Sequence, residues 1–363
     1  MTAESPLPRG KQPYVIEAVA RMARRLGPGM KLPTIQVIAQ ELGVTVATVD
    51  KSLAKLESRG LINRKHGSGI YVSDRPQQKT IGVVFGVNVF HPGISPIYSI
   101  FLNQCERRVA QSQLQERYSL FLGSPALSGS SLLPIHHDLE EAIKDRKLDG
   151  LLLFAKSSGR QEDYLRESGV PMVALTGHSE WPGVVKLDSE HLVRDAVEAL
   201  RDRGCRTIGF FGALPEHGPF FECAMRDAGL PLDKKWVILP DESSESFSIH
   251  QGLFEHEQFG QECATQLIAR GNGTLPDGLI CTDDMVTRGA CPVFESQGLE
   301  IGLDFKLATH SNKGSFVLAE WASEMIQFAF DPQEIVDAMF SLLESHMQGQ
   351  EVREHRLITA HRY

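Results

Sequence analysis

The stretch from Gly29 to Ser73 constrains the fold of this chain most strongly, because it combines helical spacing with glycines at the expected ends. Apolar residues recur there at the three-and-four spacing of one helix face: Ile35, Ile38, Ala39 and Leu42. Gly43 follows at a position where a left-handed residue often ends a helix. The spacing therefore predicts a short amphipathic helix with a turn after it.

A second helix is predicted directly after this turn. Thr45 is a residue type that favours the N-cap of a helix. An apolar stripe that can pack back on the first helix is continued by Val49, Leu53 and Leu56. The residues left facing outward are Val46, Ala47, Thr48, Asp50 and Lys51. In a helix-turn-helix, such a face enters the major groove of DNA.

A glycine-turned hairpin is predicted after the second helix. Gly60 closes the helix, and Leu61 and Ile62 begin a strand. The turn His66-Gly67-Ser68-Gly69 then leads into the returning strand Ile70-Tyr71-Val72. A small helical bundle can imitate helix-turn-helix spacing, but the added hairpin favours a winged helix-turn-helix that reads DNA.

Residues 1–74 resemble the GntR family of winged-helix transcription regulators. The family pattern is met by Leu32-Pro33 before the second helix, by Thr48-Val49 in the third, and by Leu56-Glu57-Ser58-Arg59-Gly60-Leu61. The resemblance implies a DNA-binding domain over these residues.

The chain departs from this family at three arginine positions, which are occupied by Gln36, Val46 and Asp50. Because arginine forks anchor phosphates and contact guanine, their absence leaves the operator open and allows binding weaker than usual. Candidate phosphate contacts remain at Lys31, Lys51, Lys55, Arg64, Lys65 and His66, although each alone can equally be a solvated surface charge. The full set predicted to contact DNA is Lys31, Thr34, Gln36, Thr45, Val46, Ala47, Thr48, Asp50, Lys51, Arg64, Lys65, His66, Gly67 and Ser68.

The charge distribution supports a DNA-binding head independently of the family. Residues 1–74 carry 11 Lys and Arg against 6 Asp and Glu, a balance of +5, whereas the remaining residues carry 26 against 40, a balance of −14. A polyanion would be attracted to the head and repelled by the rest. DNA binding should therefore weaken steeply with salt.

The composition of the whole chain is that of an ordinary globular protein. Its 363 residues are 42% hydrophobic and 23% charged. The first residues lack the apolar core of a secretion signal, and no run approaches a membrane span, so we expect a cytoplasmic protein. The six cysteines include no C-x-x-C pair, so neither a disulfide framework nor a zinc site is suggested, and no cofactor is predicted.

An α/β body is predicted after a short polar linker. We expect the head to span residues 1–74, the linker 75–79 and the body 80–363. Short apolar runs bounded by turns predict buried parallel strands, namely residues 80–85, 148–154, 170–175, 207–211 and 278–281. Amphipathic helices are expected between them, and residues 240–257 are polar enough to form a long mobile loop.

Residues 79–363 resemble the effector domain of LacI-type regulators, which shares the two-lobed fold of periplasmic sugar-binding proteins. Two blocks carry the resemblance: Asp188 with the helix after it and Arg203 to Phe210, and Pro276 to Asp284. A GntR-like head on this body resembles the arabinose-repressor subgroup. The combination implies a ligand clamped between two lobes and two heads brought together in a dimer.

The resemblance places candidate effector contacts at the carboxyl ends of the strands. Asp188 and Asp283 match positions that bind sugar hydroxyls, Asn88 follows the first strand, and Phe328 or Phe330 could form an apolar wall. The full predicted set is Asn88, His91, Asp188, His217, Asp283, Ser311, Phe328 and Phe330. Each aspartate can instead be a helix cap, and each phenylalanine can be core.

Two departures bear on the ligand, because His217 and Ser311 stand at or near positions of a sugar-binding arginine and aspartate. The site should then prefer a different sugar, a less hydroxylated compound or no ligand.

We predict a dimeric, DNA-binding repressor that responds to a small, sugar-like ligand. The alternatives are a transport-type receptor, a sugar-processing enzyme, and a regulator that has lost its ligand response. His136-His137-Asp138 is the densest possible metal cluster, but adjacent histidines diverge and no second ligand group has convincing spacing.

Overall fold

The computed structural model describes residues 11–58, 60–65, 67–73, 79–86, 88–90, 95–111, 116–122, 137–154, 160–176, 181–240, 255–349 and 355–362. The chain divides into two compact units, which we call the head and the body. The head contains the described residues up to Lys79, and the body contains most of those from Thr80 onward.

Among its described residues the head contains three helices and a two-stranded sheet: α1 (Lys11–Leu26), α2 (Ile35–Leu42), α3 (Val46–Ser58), β1 (Ile62–Lys65) and β2 (Gly69–Val72). Local signals set the ends of α2, because the Thr34 side chain accepts a hydrogen bond from the Val37 amide and Gly43 adopts a left-handed φ of 65°. The predicted helix-turn-helix is confirmed.

The apolar stripe of α3 forms the centre of the head. Val49, Leu53 and Leu56 are fully buried, and they join a core cluster that includes Val15 and Val19 of α1. Burying a large apolar side chain contributes about 1.5–3 kcal/mol, so this stripe fixes which face of α3 remains outward.

β1 and β2 form the predicted wing, an antiparallel pair with Ile62 opposite Val72 and Lys65 opposite Gly69. The returning strand begins at Gly69 rather than at Ile70. Gly69 has a φ of 126°, and a Cβ there would lie 2.6 Å from Cε of Lys31. Only glycine therefore fits this position without displacing that lysine.

The body contains twelve strands among its described residues: β3 (Lys79–Phe85), β4 (Glu116–Leu122), β5 (Gly150–Leu153), β6 (Met172–Leu175), β7 (Val184–Leu187), β8 (Ile208–Phe211), β9 (Val237–Ile238), β10 (Gly278–Cys281), β11 (Lys306–Asn312), β12 (Met325–Phe330), β13 (His355–Ile358) and β14 (His361–Arg362). They form two six-stranded sheets, ordered β13-β7-β6-β5-β3-β4 and β14-β12-β11-β10-β8-β9. The described pairings are parallel except for β12 with β14.

Eight α-helices of the described chain accompany these sheets: α4 (Ile97–Gln111), α5 (His137–Lys144), α6 (Arg160–Glu167), α7 (Ser189–Asp202), α8 (His217–Asp227), α9 (Glu255–Gly271), α10 (Asp284–Ser296) and α11 (Pro332–Met347). One core cluster joins residues of α4, α7 and α11 with residues from both sheets. Separate clusters pack α5 and α6 on the first sheet, and α9 and α10 on the second. The predicted two-lobed α/β architecture is thereby confirmed.

The chain passes between the lobes through α7, through α11 and again between β13 and β14. The strands that were predicted from apolar runs, such as β5, β8 and β10, are buried along their whole length. This is the pattern of parallel strands covered on both faces.

The long loop predicted for residues 240–257 lies mostly outside the described residues. Its end is corrected, because α9 already begins at Glu255. α9 and α10 approach closely, since a Cβ on Gly289 would lie 1.8 Å from the backbone oxygen of Glu257.

Within the described part of the chain, none of the helices has both the length and the apolar character needed to cross a bilayer.

Candidate functional site

The first turn of α3 presents the outward face that the sequence predicted. Thr45 Oγ1 accepts a hydrogen bond from the Thr48 amide at 3.2 Å and lies 2.8 Å from Thr48 Oγ1. Both hydroxyls therefore hold the start of the helix. Val46 is 48% exposed, and Ala47 and Lys51 are exposed beside it. This turn combines apolar and cationic side chains on one accessible surface.

Arg64 of the wing contacts α3, where it neutralises Asp50. Its Nη1 donates to Asp50 Oδ1 and its Nη2 to the Asp50 backbone oxygen, both at 2.8 Å. Arg64 Nε lies 3.3 Å from Glu57 Oε2, an ion pair without hydrogen-bond alignment, and the Arg64 amide donates to Glu57 Oε1 at 3.0 Å. We call Asp50, Glu57 and Arg64 the head charge cluster. It ties the wing to α3.

Two lysines lie around one tyrosine of the wing: Lys65 of β1, and Lys31, which precedes α2 and pairs with Tyr71. Lys31 Nζ lies 5.8 Å and Lys65 Nζ 5.1 Å from the centre of the Tyr71 ring. Tyr71 Oη and Ser68 Oγ are 2.7 Å apart. Cation–π contacts of this kind restrict where an ammonium group can lie. The wing and the adjacent Lys31 therefore present two oriented cations and a hydroxyl pair.

The other residues predicted to contact DNA occupy simpler positions. Thr34 caps α2, and Gln36 and Gly67 are exposed. His66 lies outside the described residues. Among the described members of the predicted set, side-chain hydrogen bonds join Thr45 with Thr48 and Asp50 with Arg64.

In the body, the carboxyl ends of two neighbouring strands bring three ionisable side chains together. β10 and β11 are parallel, with Cys281 opposite Thr309, so both end at the same edge of the sheet. Asp283 and Asp284 follow β10, and His310 lies near the end of β11. One potential ligand atom from each of these three lies within 4.8 Å of the other two. We call this trio the cleft cluster.

Asp283, a predicted effector contact, also caps α10. Its Oδ1 accepts from the amides of Met285 and Val286, each at 2.9 Å. Its Oδ2 lies 3.2 Å from Nδ1 of His256. Burial acts to raise the pKa of Asp283, but the charge of His256 and the hydrogen bond from it hold that pKa well below its usual range. The carboxylate is therefore ionised, with one oxygen facing away from the helix.

Asp284 was not among the predicted contacts, although it directly follows Asp283. It is 3% exposed, and its Oδ2 accepts from Asn312 Nδ2 at 3.0 Å. Burial and the neighbouring Asp283 raise its pKa. A second carboxylate directly after a buried strand was the signal available in the sequence.

His310 was also missed, because it is distant in sequence from the two aspartates. It is 9% exposed, and its ring packs in an edge-to-face contact with Phe330, with 5.2 Å between the two ring centres. Among the described residues, its Nε2 has no hydrogen-bond partner. Side chains alternate along a strand, so Ser311, which the sequence predicted, lies on the opposite face from His310 and Asn312.

His217 stands where the resemblance implied an arginine, and it is a neutral ring. It is 5% exposed, and its Nδ1 lies 2.8 Å from Thr282 Oγ1. Burial lowers the pKa of His217 from 6.5 to about 4. With Nδ1 engaged by Thr282, the ring can make one further hydrogen bond through Nε2, but it cannot supply the charged fork of an arginine.

Tyr98 of α4 brings the first lobe to the same place. Burial raises the pKa of Tyr98 to about 12, and the negative charges of Asp283 and Asp284 act in the same direction. The phenol is therefore a neutral donor within electrostatic reach of the cleft cluster. The sequence did not indicate this residue, because nothing local links α4 with β10.

The remaining predicted effector residues lie in structural positions. Asn88 Oδ1 accepts from the Phe90 amide at 3.0 Å, and Asp188 caps α7 by accepting from the His191 amide at 3.1 Å. Phe328 and Phe330 are buried in the core, where Phe330 contacts His310. His91 lies outside the described residues.

Two family models match the chain. Bacterial regulatory proteins of the gntR family match residues 22–72, and the periplasmic binding protein-like domain matches residues 197–362. The chain joins a gntR-type head to a periplasmic-binding-protein-like body. The predicted pair of resemblances is thereby confirmed, whereas the arabinose-repressor subgroup stays a prediction.

A curated relative is also a transcription regulator. The HTH-type transcriptional repressor PurR of Pasteurella multocida is 26% identical over 217 residues, which are 54% of this chain and 57% of PurR. The chain thus spans little more than half the length of that curated relative.

Solved structures agree on the fold. The transcriptional regulator CelR in complex with cellobiose superposes with a TM-score of 0.61 and 18% identity, over 92% of this chain and 98% of CelR. A LacI-family regulatory protein from Chloroflexus aggregans superposes with a TM-score of 0.59 and 20% identity, over 78% of this chain and 96% of that protein. The regulator class itself is carried by the gntR family model and by PurR, and the predicted class of DNA-binding transcription regulator is thereby confirmed.

Proposed function

We propose that this regulator is a cytoplasmic repressor that binds operator DNA as a homodimer and responds to a small polar ligand. The head, residues 1–74, would bind the operator, and the body, residues 80–363 after a linker at 75–79, would bind the ligand between its lobes. Closure of the lobes would then change the spacing of the two heads.

The observation that carries this proposal is the accessible first turn of α3 beside a cationic wing, with Asp50 neutralised by Arg64. An unpaired carboxylate on this face would repel phosphate. Because Arg64 cancels that charge, the face can approach DNA although it lacks the arginines expected from the family. Lys65 on the wing and Lys31 beside it are placed to contact the DNA backbone.

The side chains of this face favour particular bases. Val46 and Ala47 are exposed apolar groups, which suit contact with thymine methyl groups in the major groove. Lys51 offers a point charge rather than a bidentate fork. We expect an operator whose half-sites depend on thymine methyls more than on paired guanine contacts.

The cleft supports a ligand rich in hydrogen-bonding groups. Asp284, Asn312 and His310 supply acceptors and donors from the second lobe, and Tyr98 supplies a phenol from the first. Sugar hydroxyls both donate and accept, so they fit such a mixed set. The structure of CelR with cellobiose is consistent with a sugar-like ligand here.

The test is a fluorescence-anisotropy titration of the full chain with tiled duplexes from upstream of its own gene, at two salt concentrations. Excess unrelated duplex competes for non-specific binding. We expect one tile to be preferred and its affinity to fall steeply with salt. Equal binding of every tile at low salt would contradict a sequence-specific regulator of this region.

A further inference from the structure

We propose that the body binds a divalent transition-metal cation, with an oxygen of Asp283, an oxygen of Asp284 and a ring nitrogen of His310 as its ligands. This inference names the chemical class of a ligand for the cleft, and it rests on the proposed function in treating that cleft as the effector site. Zn²⁺ is the probe that we would use first.

The distances within the cleft cluster suit one ion. The three potential ligand atoms lie within 4.8 Å of one another. Zinc bonds to nitrogen and oxygen ligands are about 2.0–2.2 Å long, so a tetrahedral ion holds its ligands about 3.4 Å apart. Side-chain rotations that bring the three atoms closer by up to about 1.4 Å would therefore close the site.

The ligand types select among cations. Imidazole with carboxylates suits zinc, copper, nickel and related ions, whereas magnesium and calcium prefer sites made of oxygen alone. His256 Nδ1, which lies 3.2 Å from Asp283 Oδ2, is a second imidazole at the rim of the site. The set therefore favours a d-block cation over the hard divalent ions.

His310 carries the observation that is independent of the acidic pair. Its Nε2 is buried and, among the residues described, has no hydrogen-bond partner. A buried polar atom left in this state costs about 1–3 kcal/mol, and such atoms are uncommon in native proteins. A cation at the cleft cluster would satisfy the ring and offset the repulsion between the buried Asp284 and the half-buried Asp283.

The surroundings hold each ligand in place. The Asn312 amide fixes the Asp284 carboxylate, the α10 amides hold Asp283 Oδ1, and the edge of the His310 ring packs against Phe330. Contacts of this kind behind the ligands orient metal sites, and their loss commonly costs about 10–100-fold in affinity. The cleft cluster is therefore preorganised rather than an accidental meeting of surface charges.

The experiment is equilibrium dialysis of the chelator-treated full chain against Zn²⁺, repeated with Co²⁺ for its visible spectrum. We expect one ion per chain, held without the thiolate charge-transfer band that cysteine ligands give. Asp284→Asn and His310→Gln should each weaken binding by about tenfold or more. His137→Ala and Cys223→Ser are matched controls, because they remove a surface histidine and the half-exposed cysteine without touching the cluster.

Circular dichroism of each variant separates lost binding from lost folding, and Asp284→Asn preserves the shape of the side chain. The proposal is overturned if the wild-type chain binds no ion, or if only the control variants weaken binding.

The two proposals fail in different ways. Metal binding is measured without DNA, and operator preference is measured by anisotropy on the same preparation. A chain that prefers one DNA tile but binds no Zn²⁺ overturns only the metal site. A chain that binds Zn²⁺ but prefers no tile leaves the site standing and contradicts the proposed function.

Discussion

The head charge cluster and the cleft cluster are built from similar side chains under opposite conditions. In the head, Asp50 and Arg64 pair at 2.8 Å with side chains that are 53% and 28% exposed. In the cleft, Asp284 is buried beside Asp283, and its pKa is raised. An exposed pair contributes at most about 1 kcal/mol, whereas a buried carboxylate strongly affects stability and ligand choice. In the head, the ion pair thus cancels a charge on an exposed surface. In the cleft, the buried carboxylate remains available to bind a ligand.

The largest expected difference between the two regions appears on acidification, because the body buries a neutral histidine. Burial lowers the pKa of His217 from 6.5 to about 4; Glu216 and Asp283 oppose this shift, and His310 adds to it. Below pH 6.5 this histidine becomes protonated in the unfolded chain but stays neutral in the folded chain. The contribution of His217 to the free energy of unfolding is therefore fully present above pH 6.5. It is lost as the pH falls towards 4, which lowers the free energy of unfolding by at most about 3 kcal/mol.

Denaturant unfolding of the wild type and of His217→Asn across this pH range tests the expectation. The variant should show a flatter dependence of the unfolding free energy on pH, while His137→Ala, an exposed control, should follow the wild type. Parallel curves for the wild type and His217→Asn would mean that another group carries the dependence.

The second effect concerns DNA affinity and belongs to the head. Arg64→Ala leaves Asp50 unpaired on the α3 face, so operator affinity should fall about tenfold, or about 1.4 kcal/mol. Stability should change by about 1 kcal/mol or less, because the pair is partly exposed. Anisotropy titration and thermal unfolding measure the two effects separately.

A double-mutant cycle with Asp50→Asn sharpens this result. If Arg64 acts mainly by neutralising Asp50, the double variant should recover most of the lost affinity. If the double variant binds as weakly as Arg64→Ala, the guanidinium itself contacts DNA and the neutralisation account is wrong.

A third and smaller effect concerns Asp284, whose carboxylate can bind a ligand but lowers the stability of the fold at neutral pH. The raised pKa of Asp284 means that its protonated form stabilises the fold at low pH, and this contribution is lost as the pH rises through the raised value. At neutral pH, Asp284→Asn should therefore stabilise the metal-free body by about 1 kcal/mol, raising Tm by about 2–4 °C. Differential scanning calorimetry checks this. A lower Tm would show that the carboxylate's bond from Asn312 outweighs its burial.

Sequence reasoning succeeded where one local signal decides the structure. Thr34 and Gly43 mark the ends of α2, and the spacing of Val49, Leu53 and Leu56 identifies the buried face of α3. Buried runs such as β5 and β10 were predicted because parallel strands are apolar on both faces.

It was less informative where contacts are distant in the chain. Arg64 looked like a free phosphate contact, because its pairing with a residue 14 positions earlier depends on how the wing folds. In the cleft, a shift of one residue decides that Asp283 caps α10 while Asp284 is buried. A similar shift on β11 places His310, rather than Ser311, with the aspartates. Motif matching locates such pairs of adjacent residues, but it does not show which residue of each pair faces the site.

The smallest expected effect tests whether the wing contacts DNA through oriented charge. Lys65 Nζ is held 5.1 Å from the Tyr71 ring, so its ammonium group is partly ordered before DNA arrives. Lys65→Ala should reduce operator affinity only a few-fold but lower the slope of log affinity against log salt by about one, similarly for every tile. Lys234→Ala, on an exposed lysine of the body 3.7 Å from Glu222, is the matched control. If both variants change the slope equally, the basic head is not what orients this acidic chain on DNA; if neither does, the wing stays away from the phosphates and α3 alone makes the electrostatic contact.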